Sequence, residues 1–142
     1  MRKLQISTKG RYGLRAVVEL AKYVQDGPMP INSISERQDI SERYLEQLMA
    51  KLKKANLVKS VRGANGGYIL GKESKDISVG DVLRALEGTL ESADCKGFVE
   101  KNPCESADEC MVKFVWKKIN DSINETVDQI TIEQLLTQDY GR

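Results

Sequence analysis

Three cysteines carry the most distinctive chemistry of this sequence. Cys95, Cys104 and Cys110 lie close together in the C-terminal half, and the chain contains no histidine. The first residues lack the apolar run of a secretory signal, so we expect the protein in the cytoplasm, where thiols are kept reduced. The odd number of cysteines agrees with this location. We therefore expect free thiols or metal ligands rather than a disulfide framework.

The cysteines fall in a segment with little periodicity that is followed by a long helix. Residues 89–107 contain Gly97, Asn102, Pro103 and several acidic residues. This composition is typical of a loop, and so long a loop is usually functional, which makes it the candidate sensor. Ser106-Ala107-Asp108-Glu109 has the pattern of a helix capping box. It predicts a helix that runs to about Gln129 and carries Cys110 in its first turn.

The predicted long helix has an apolar stripe. Apolar residues recur every four positions with two aromatic residues beside them: Met111, Val115, Ile119, Ile123 and Val127, then Phe114 and Trp116. Such a stripe packs either on the helix's own domain or on a second copy of the chain. Because other segments account for the rest of the core, we favour a helix-to-helix dimer. Thr131-Ile132-Glu133-Gln134 begins a last short helix.

The N-terminal half has the pattern of a helix-turn-helix. Apolar residues at helical spacing predict a first helix over residues 8–24, stopped by Gly27-Pro28. Ser33-Ile34-Ser35-Glu36 has the pattern of a capping box and predicts a second helix over residues 33–38. After a tight turn, Ser41 is placed to cap a third helix. An ordinary helical hairpin would give a similar pattern.

The third helix is amphipathic, and a β-hairpin follows it. Its apolar stripe is Leu45, Leu48, Met49 and Leu52, and its opposite face carries Glu42, Arg43, Glu46, Gln47, Lys51 and Lys53. Residues 57–62 and 68–70 predict two strands, and the glycine-rich residues 63–67 predict the turn between them. This hairpin is the predicted wing. Ser78-Val79-Gly80-Asp81 predicts one more helix that ends at Gly88.

Charge divides the chain into two unlike halves. The formal net charge is only +1, but residues 1–72 carry 14 Lys and Arg against 6 Asp and Glu, whereas residues 73–142 carry 8 against 15. A basic half is the electrostatic signature of a phosphate-binding surface. The acidic half is repelled by DNA and is free for dimerisation or sensing.

Together these features predict a mainly α fold with a small β-hairpin wing, that is, a winged helix-turn-helix with a long C-terminal dimerisation helix. Residues 1–88 form the predicted DNA-binding region, and residues 89–110 the cysteine-containing sensor loop. Residues 106–142 form the predicted dimerisation helix and the last short helix.

Several other classes are not expected. No stretch approaches the roughly 20 apolar residues that span a bilayer, so we expect no membrane partner. The sequence shows no paired acid and base and no nucleophile with a histidine, so we do not expect an enzyme. Gly71-Lys72 is followed by Glu73 rather than by Ser or Thr, which argues against a nucleotide-binding loop.

Several ordered motifs resemble those of the IscR-type family of bacterial winged-helix regulators, which includes CymR and NsrR. They are Ile6-Ser7-Thr8-Lys9-Gly10-Arg11-Tyr12-Gly13, Ile34-Ser35-Glu36-Arg37-Gln38, Tyr44-Leu45-Glu46-Gln47-Leu48, and Val61-Arg62-Gly63 with Gly66-Gly67-Tyr68. The resemblance is dense from Ile6 to Leu86. It implies a homodimer whose long C-terminal helices cross and whose two recognition helices and wings bind a palindromic double-stranded DNA operator.

The same resemblance implies roles for individual residues. Ser41, Arg43 and Glu46, with Gln47 on the same face, are expected to meet base edges in the major groove, and Arg62 is expected to enter the minor groove. Elementary chemistry agrees, because arginine reads guanine and is drawn to the negative potential of a narrow minor groove. The alternative for Arg62 is an ordinary solvated turn residue.

For the cysteines, the resemblance implies a two-iron, two-sulfur (2Fe-2S) cluster, which IscR-like members hold with three cysteines and a histidine. This chain departs from that pattern, because eight residues separate Cys95 from Cys104, more than is typical, and Lys113 stands where the histidine is expected. Candidates for the fourth ligand are Glu109, Asp108, a residue of the partner subunit or an added small thiol. Direct thiol oxidation, zinc binding and structural cysteines are the alternatives to a cluster.

The resemblance therefore favours a regulator of iron-sulfur assembly or sulfur-metabolism genes. A second possibility is a CymR-like repressor of cysteine metabolism, which has no cluster and takes its signal from a protein partner. A third, from a different class, is a small iron-sulfur electron carrier or cluster-transfer protein. That third function would leave the basic recognition helix and the wing unexplained.

Overall fold

A computed structural model of the chain describes residues 8–88 and 107–137, with side chains from residue 112 onward in the second range. Its elements are α1 Thr8–Lys22, α2 Ile31–Gln38, α3 Glu42–Lys54, β1 Val58–Val61, β2 Gly67–Leu70, α4 Val79–Glu87, α5 Ala107–Gln129 and α6 Ile132–Thr137. Short 3-10 helices lie at Val24–Asp26 and Ser74–Asp76. The predicted fold class, mainly α with one β-hairpin, is confirmed. Of the predicted loop over residues 89–107, residues 89–106, including Cys95 and Cys104, lie outside the described residues, and Ala107 begins α5.

Two predicted features of the first helices are wrong. α1 ends at Lys22, and Val24 lies in the 3-10 helix with 54% of its surface exposed, so it does not extend the buried face of α1. α2 begins at Ile31 with Pro30 as its N-cap, which places Ser33 inside the helix rather than at its cap. Proline has a fixed φ suited to a helix start, and Ile31 packs against the core, so tertiary packing extends the helix upstream of the local capping pattern.

The predicted caps of α3 and α4 are confirmed. The backbone N–H of Tyr44 donates to Ser41 Oγ at 3.1 Å. At the start of α4, the N–H of Asp81 donates to Ser78 Oγ at 2.9 Å and the N–H of Ser78 donates to the Asp81 carboxylate at 3.1 Å. These bonds satisfy N–H groups that a helix start leaves free, so each start is determined by nearby residues.

The hairpin is antiparallel, with Val58 opposite Leu70 and Val61 opposite Gly67. Its base is tied to the segment before α2, because the N–H of Met29 donates to Tyr68 O at 3.0 Å and the N–H of Tyr68 donates to Met29 O at 2.9 Å. A Cβ on Gly67 would collide with the backbone of Met29. Only glycine therefore allows these two backbone segments to lie so close together. The wing is thereby anchored at its base.

The core lies between α1, α3 and α4, and α6 returns to it. Val17, Leu52 and Val82 are fully buried, as is Ile132 of α6. The chain after α5 is fastened by two backbone bonds, from the N–H of Val79 to Ile130 O at 2.8 Å and from the N–H of Ile132 to Ile77 O at 2.9 Å. α5 is therefore attached to the winged unit at its C-terminal end. Among the described residues, no helix is both long enough and apolar enough to cross a membrane.

Candidate nucleic-acid interface

The third helix divides into a buried face and an exposed face, as predicted. Leu45, Leu48, Met49 and Leu52 have at most 1% of their surface exposed. Ser41, Arg43, Glu46 and Gln47 are all exposed, and Glu46 and Gln47 lie one helical turn after Arg43 on the side away from the core. The structure therefore brings four of the predicted DNA-contacting residues together on one surface. The fifth, Arg62, is exposed directly after β1.

A short turn positions α3 against α2. Asp39 ends α2 in the left-handed conformation, with φ 53° and ψ 51°, which aspartate tolerates better than most residues. The Ile40 N–H donates to Ser35 O at 3.2 Å. Only residues 39–41 separate the two helices, and a connection this short fits a helix-turn-helix.

Two side-chain contacts hold α3 to its neighbours, and sequence reasoning missed both. The rings of Tyr12 in α1 and Tyr44 in α3 meet edge to face, with centroids 6.4 Å apart. At the other end of α3, Lys53 Nζ donates to Ser60 Oγ of β1 at 2.9 Å. The recognition helix and the wing are therefore linked directly. Neither contact has a local sequence signal, because the partners lie on different elements.

A pair of cations lies beside the recognition helix. Lys9 in the first turn of α1 lowers the pKa of Lys51 in α3, chiefly through repulsion between the two ammonium groups. Both side chains are exposed. A phosphate between them would relieve the repulsion, so the pair suits a nucleic-acid backbone. Sequence reasoning placed Lys51 on the polar face of α3 but did not single out Lys9.

The candidate metal ligands are only partly described. Cys110 lies in the first turn of α5, as predicted, and the partly buried Lys113 follows one turn later. Among the side chains that the structure describes, those of residues 8–88 and 112–137, no cluster of three His, Cys, Asp or Glu residues is placed to hold a metal ion. The donors in the sequence fit a cluster in part, because three thiolates are suitable ligands. The chain has no histidine, and an ammonium such as that of Lys113 has no lone pair to offer a metal.

An exposed recognition helix linked to a wing, on a unit with a basic sequence, defines a winged helix-turn-helix DNA-binding protein. The Rrf2 family model, described as "Iron-dependent Transcriptional regulator", matches residues 6–138. The chain belongs to the Rrf2 family of transcriptional regulators.

Individual relatives agree with this assignment. The HTH-type transcriptional regulator IscR of Pectobacterium atrosepticum is 39% identical over 133 residues, covering 94% of this chain and 79% of the relative. The structure of T. potens IscR aligns with a TM-score of 0.77 at 45% identity, covering 96% of this chain and 88% of that one. CymR of B. subtilis, described as the global cysteine regulator, aligns with a TM-score of 0.79 at 41% identity over 95% of this chain and 98% of that one. The resemblance inferred from the motifs is confirmed, and these relatives are regulators rather than enzymes.

Proposed function

We propose that the protein is a homodimeric regulator that binds a palindromic operator and responds to iron-sulfur or redox status through Cys95, Cys104 and Cys110. Its targets would be genes of iron-sulfur assembly or sulfur metabolism. The protein would act in the cytoplasm. One observation supports the proposal of DNA binding. The polar face of α3 forms a continuous exposed surface, and the bond between Lys53 and Ser60 joins it to the wing. Residues 1–88 would bind DNA, residues 89–110 would sense, and residues 106–142 would dimerise.

The side chains on this surface suit the edges of base pairs. Arg43 would donate to guanine, Glu46 would accept from cytosine N4, and Gln47 would pair with adenine. Ser41 lies at the start of α3, where free N–H groups favour a phosphate. Arg62 would enter the minor groove beside the wing. Lys9 and Lys51 would hold the DNA backbone without contributing sequence preference.

The dimer would form through α5. Val112 is 48% exposed and Val115 is 50% exposed, and the partly buried Trp116, Ile119 and Ile123 continue the same side of the helix. This stripe differs from the side that faces α4, where Asn124 and Asp128 contact Arg84. Val127, predicted as part of the stripe, lies on that side, close to Gly80 of α4. A second copy of α5 would cover the apolar stripe.

The cysteines would form the sensor. Cys95, Cys104 and Cys110 would hold a 2Fe-2S cluster, which supplies a redox-sensitive and oxygen-sensitive centre when bound. Because Cys110 is in the first turn of α5, a change in its ligation acts on the helix that reaches the DNA-binding unit. The fourth ligand would be Glu109, Asp108, a residue of the partner subunit or an added small thiol.

A CymR-like function is the second candidate. The structural likeness to CymR of B. subtilis and the lack of histidine favour it. In that case the three thiols would stay free or be oxidised directly, and the signal would come from a protein partner. Iron and sulfide content after anaerobic reconstitution separates the two candidates. The electron-carrier alternative has no such support, because the relatives are named transcriptional regulators.

Selection from a random-sequence DNA library tests the DNA-binding proposal, combined with sedimentation of the free protein. We expect a dimer in solution and enrichment of two inverted half-sites. We also expect the affinity for the selected site to fall steeply with salt, since each neutralised phosphate releases counterions. A monomeric protein, or a library with no enriched sequence, would contradict the proposal.

A further inference from the structure

A polar clamp joins α4 to α5, and we define it as Arg84 with Asn124 and Asp128. Arg84 Nε and Nη2 donate to Asn124 Oδ1 at 3.2 and 2.8 Å. Arg84 Nη1 and Nη2 donate to the two carboxylate oxygens of Asp128 at 2.8 and 2.9 Å. A planar guanidinium that donates to two acceptors in this way restricts the relative orientation of the two helices as well as the distance between them.

Next to the clamp, the backbone of α4 allows α5 to pack closely. A Cβ added to Gly80 of α4 would collide with Asp128 Oδ1 and lie 3.0 Å from Val127 Cγ2. Asn124 also donates to the backbone oxygen of Asn120 at 2.8 Å, and Asn120 is buried. The contact between α4 and α5 is therefore close at this point, and the acceptor Asn124 is itself held in place.

The clamp is a directional contact at a partly exposed position. The side chains of Arg84 and Asp128 are 34% and 46% exposed, so solvent screens the two charges, and the bidentate geometry is what gives the contact its directional preference. α4, however, packs against α3 as well as against α1 and α5. α4 therefore connects α5 to the recognition helix through direct packing on both.

We propose that Arg84 is a positioning residue that fixes the angle between α5 and α3, and with it the half-site separation that the dimer accepts on DNA. This inference rests on the proposed homodimer. The clamp residues lie about 20 Å along α5 from the exposed Val112 and Val115, at 1.5 Å per residue. A tilt of about 10° at the clamp would move that dimer surface by about 3 Å, which is close to one base-pair step.

The test is random-sequence DNA selection, with the length of the spacer between half-sites as the readout. Lys117→Ala is the matched control, since it removes an ion pair with Asp121 on α5 that does not reach α4. We expect wild type and Lys117→Ala to enrich one spacing over its neighbours by about 10-fold, because half-site spacing follows from dimer geometry. Arg84→Ala should enrich the same half-site sequence at several spacings, with that preference reduced to about 2-fold.

A second variant covers the case in which Arg84→Ala does not fold, as judged by circular dichroism. The double variant Asn124→Ala, Asp128→Ala removes both acceptors from α5 and leaves α4 unchanged, and it should broaden the spacing in the same way. If wild type selects one spacing and the folded clamp variants keep it, the role of Arg84 is overturned while the dimer stands. If wild type selects only isolated half-sites, the homodimer proposal itself fails.

Discussion

Tyr12 in α1 and Tyr44 in α3 meet at an interplanar angle of 89°, so that the first helix braces the first turn of the recognition helix. Arg15 adds a cation over the Tyr12 ring, 5.5 Å from its centroid. Edge-to-face aromatic pairs stabilise a fold beyond the apolar area that they bury. This pair therefore links the stability of the chain to the position of the exposed polar face of α3.

Replacing Tyr44 with Ala should lower the free energy of unfolding by about 1–3 kcal/mol, because the aromatic pair and part of the packing are lost. Tyr44→Phe keeps the ring and should cost much less. Denaturant unfolding of wild type and both variants measures the difference. Equal midpoints for wild type and Tyr44→Ala would show that the ring contact does not brace the helix.

Replacing Arg62 with Ala should weaken binding to the selected operator by about 1–3 kcal/mol without changing the melting temperature, because a groove-inserted arginine is lost from an exposed position. Lys75→Ala is the control, since Lys75 pairs with Glu73 at 3.2 Å in the segment after the wing. Gel-shift titration compares the two variants. An Arg62→Ala affinity within twofold of wild type would leave Arg62 as an ordinary solvated turn residue.

Replacing Glu46 with Ala should relax sequence preference more than it lowers affinity, because a carboxylate accepts from cytosine N4 but repels phosphates. We expect discrimination at one base position to fall by about 5-fold. Glu36→Ala on the exposed surface of α2 controls for the loss of one negative charge. Titrations against the selected site and its single-base variants give the comparison, and an equal loss on every sequence would assign Glu46 a structural role.

Replacing Lys113 with His should lengthen the lifetime of a reconstituted cluster in air. The imidazole would lie three residues after Cys110, close to one helical turn away on the same side of α5. Lys118→His is the control, because position 118 lies eight residues, or about 12 Å along the helix, from Cys110. A histidine there is too far away to share a cluster with Cys110. Visible absorbance in air follows the decay, and equal lifetimes for the two variants would exclude position 113 as a ligand position.

Single replacement of Cys95, Cys104 or Cys110 by Ala should abolish iron binding and leave a folded dimer. Iron and sulfide per chain, with sedimentation, provide the measurement. A wild-type protein that holds no iron would favour direct thiol sensing or the CymR-like function.

The features that could be predicted from sequence are those with a local cause. Ser41 and Ser78 cap helices through residues three positions away, Gly88 ends α4, and helical periodicity assigned the buried and exposed faces of α3. Ser33 shows where this reasoning fails. Its capping pattern is local, but Pro30 and the packing of Ile31 determine the actual start of α2.

The parts that could not be predicted depend on residues far apart in the chain. Arg84 meets Asn124 and Asp128 across 40 and 44 residues, and Lys9 meets Lys51 only because α1 and α3 pack together. Residue type and family resemblance singled out the cysteines and the side chains that we propose contact bases. The clamp could not be predicted because it depends on how α4 and α5 pack together. No periodicity or motif in the sequence indicates that packing.

The return of α6 to the core affects how the protein can be divided into fragments. Ile132 is fully buried, and α6 packs against α1. A recombinant fragment that stops at Gly88 would contain the recognition helix and the wing, but it would leave a cavity where the Ile132 side chain belongs, with the stability cost that such cavities carry. A minimal DNA-reading fragment therefore has to include α6, either through a designed linker that bypasses α5 or as a peptide added in trans.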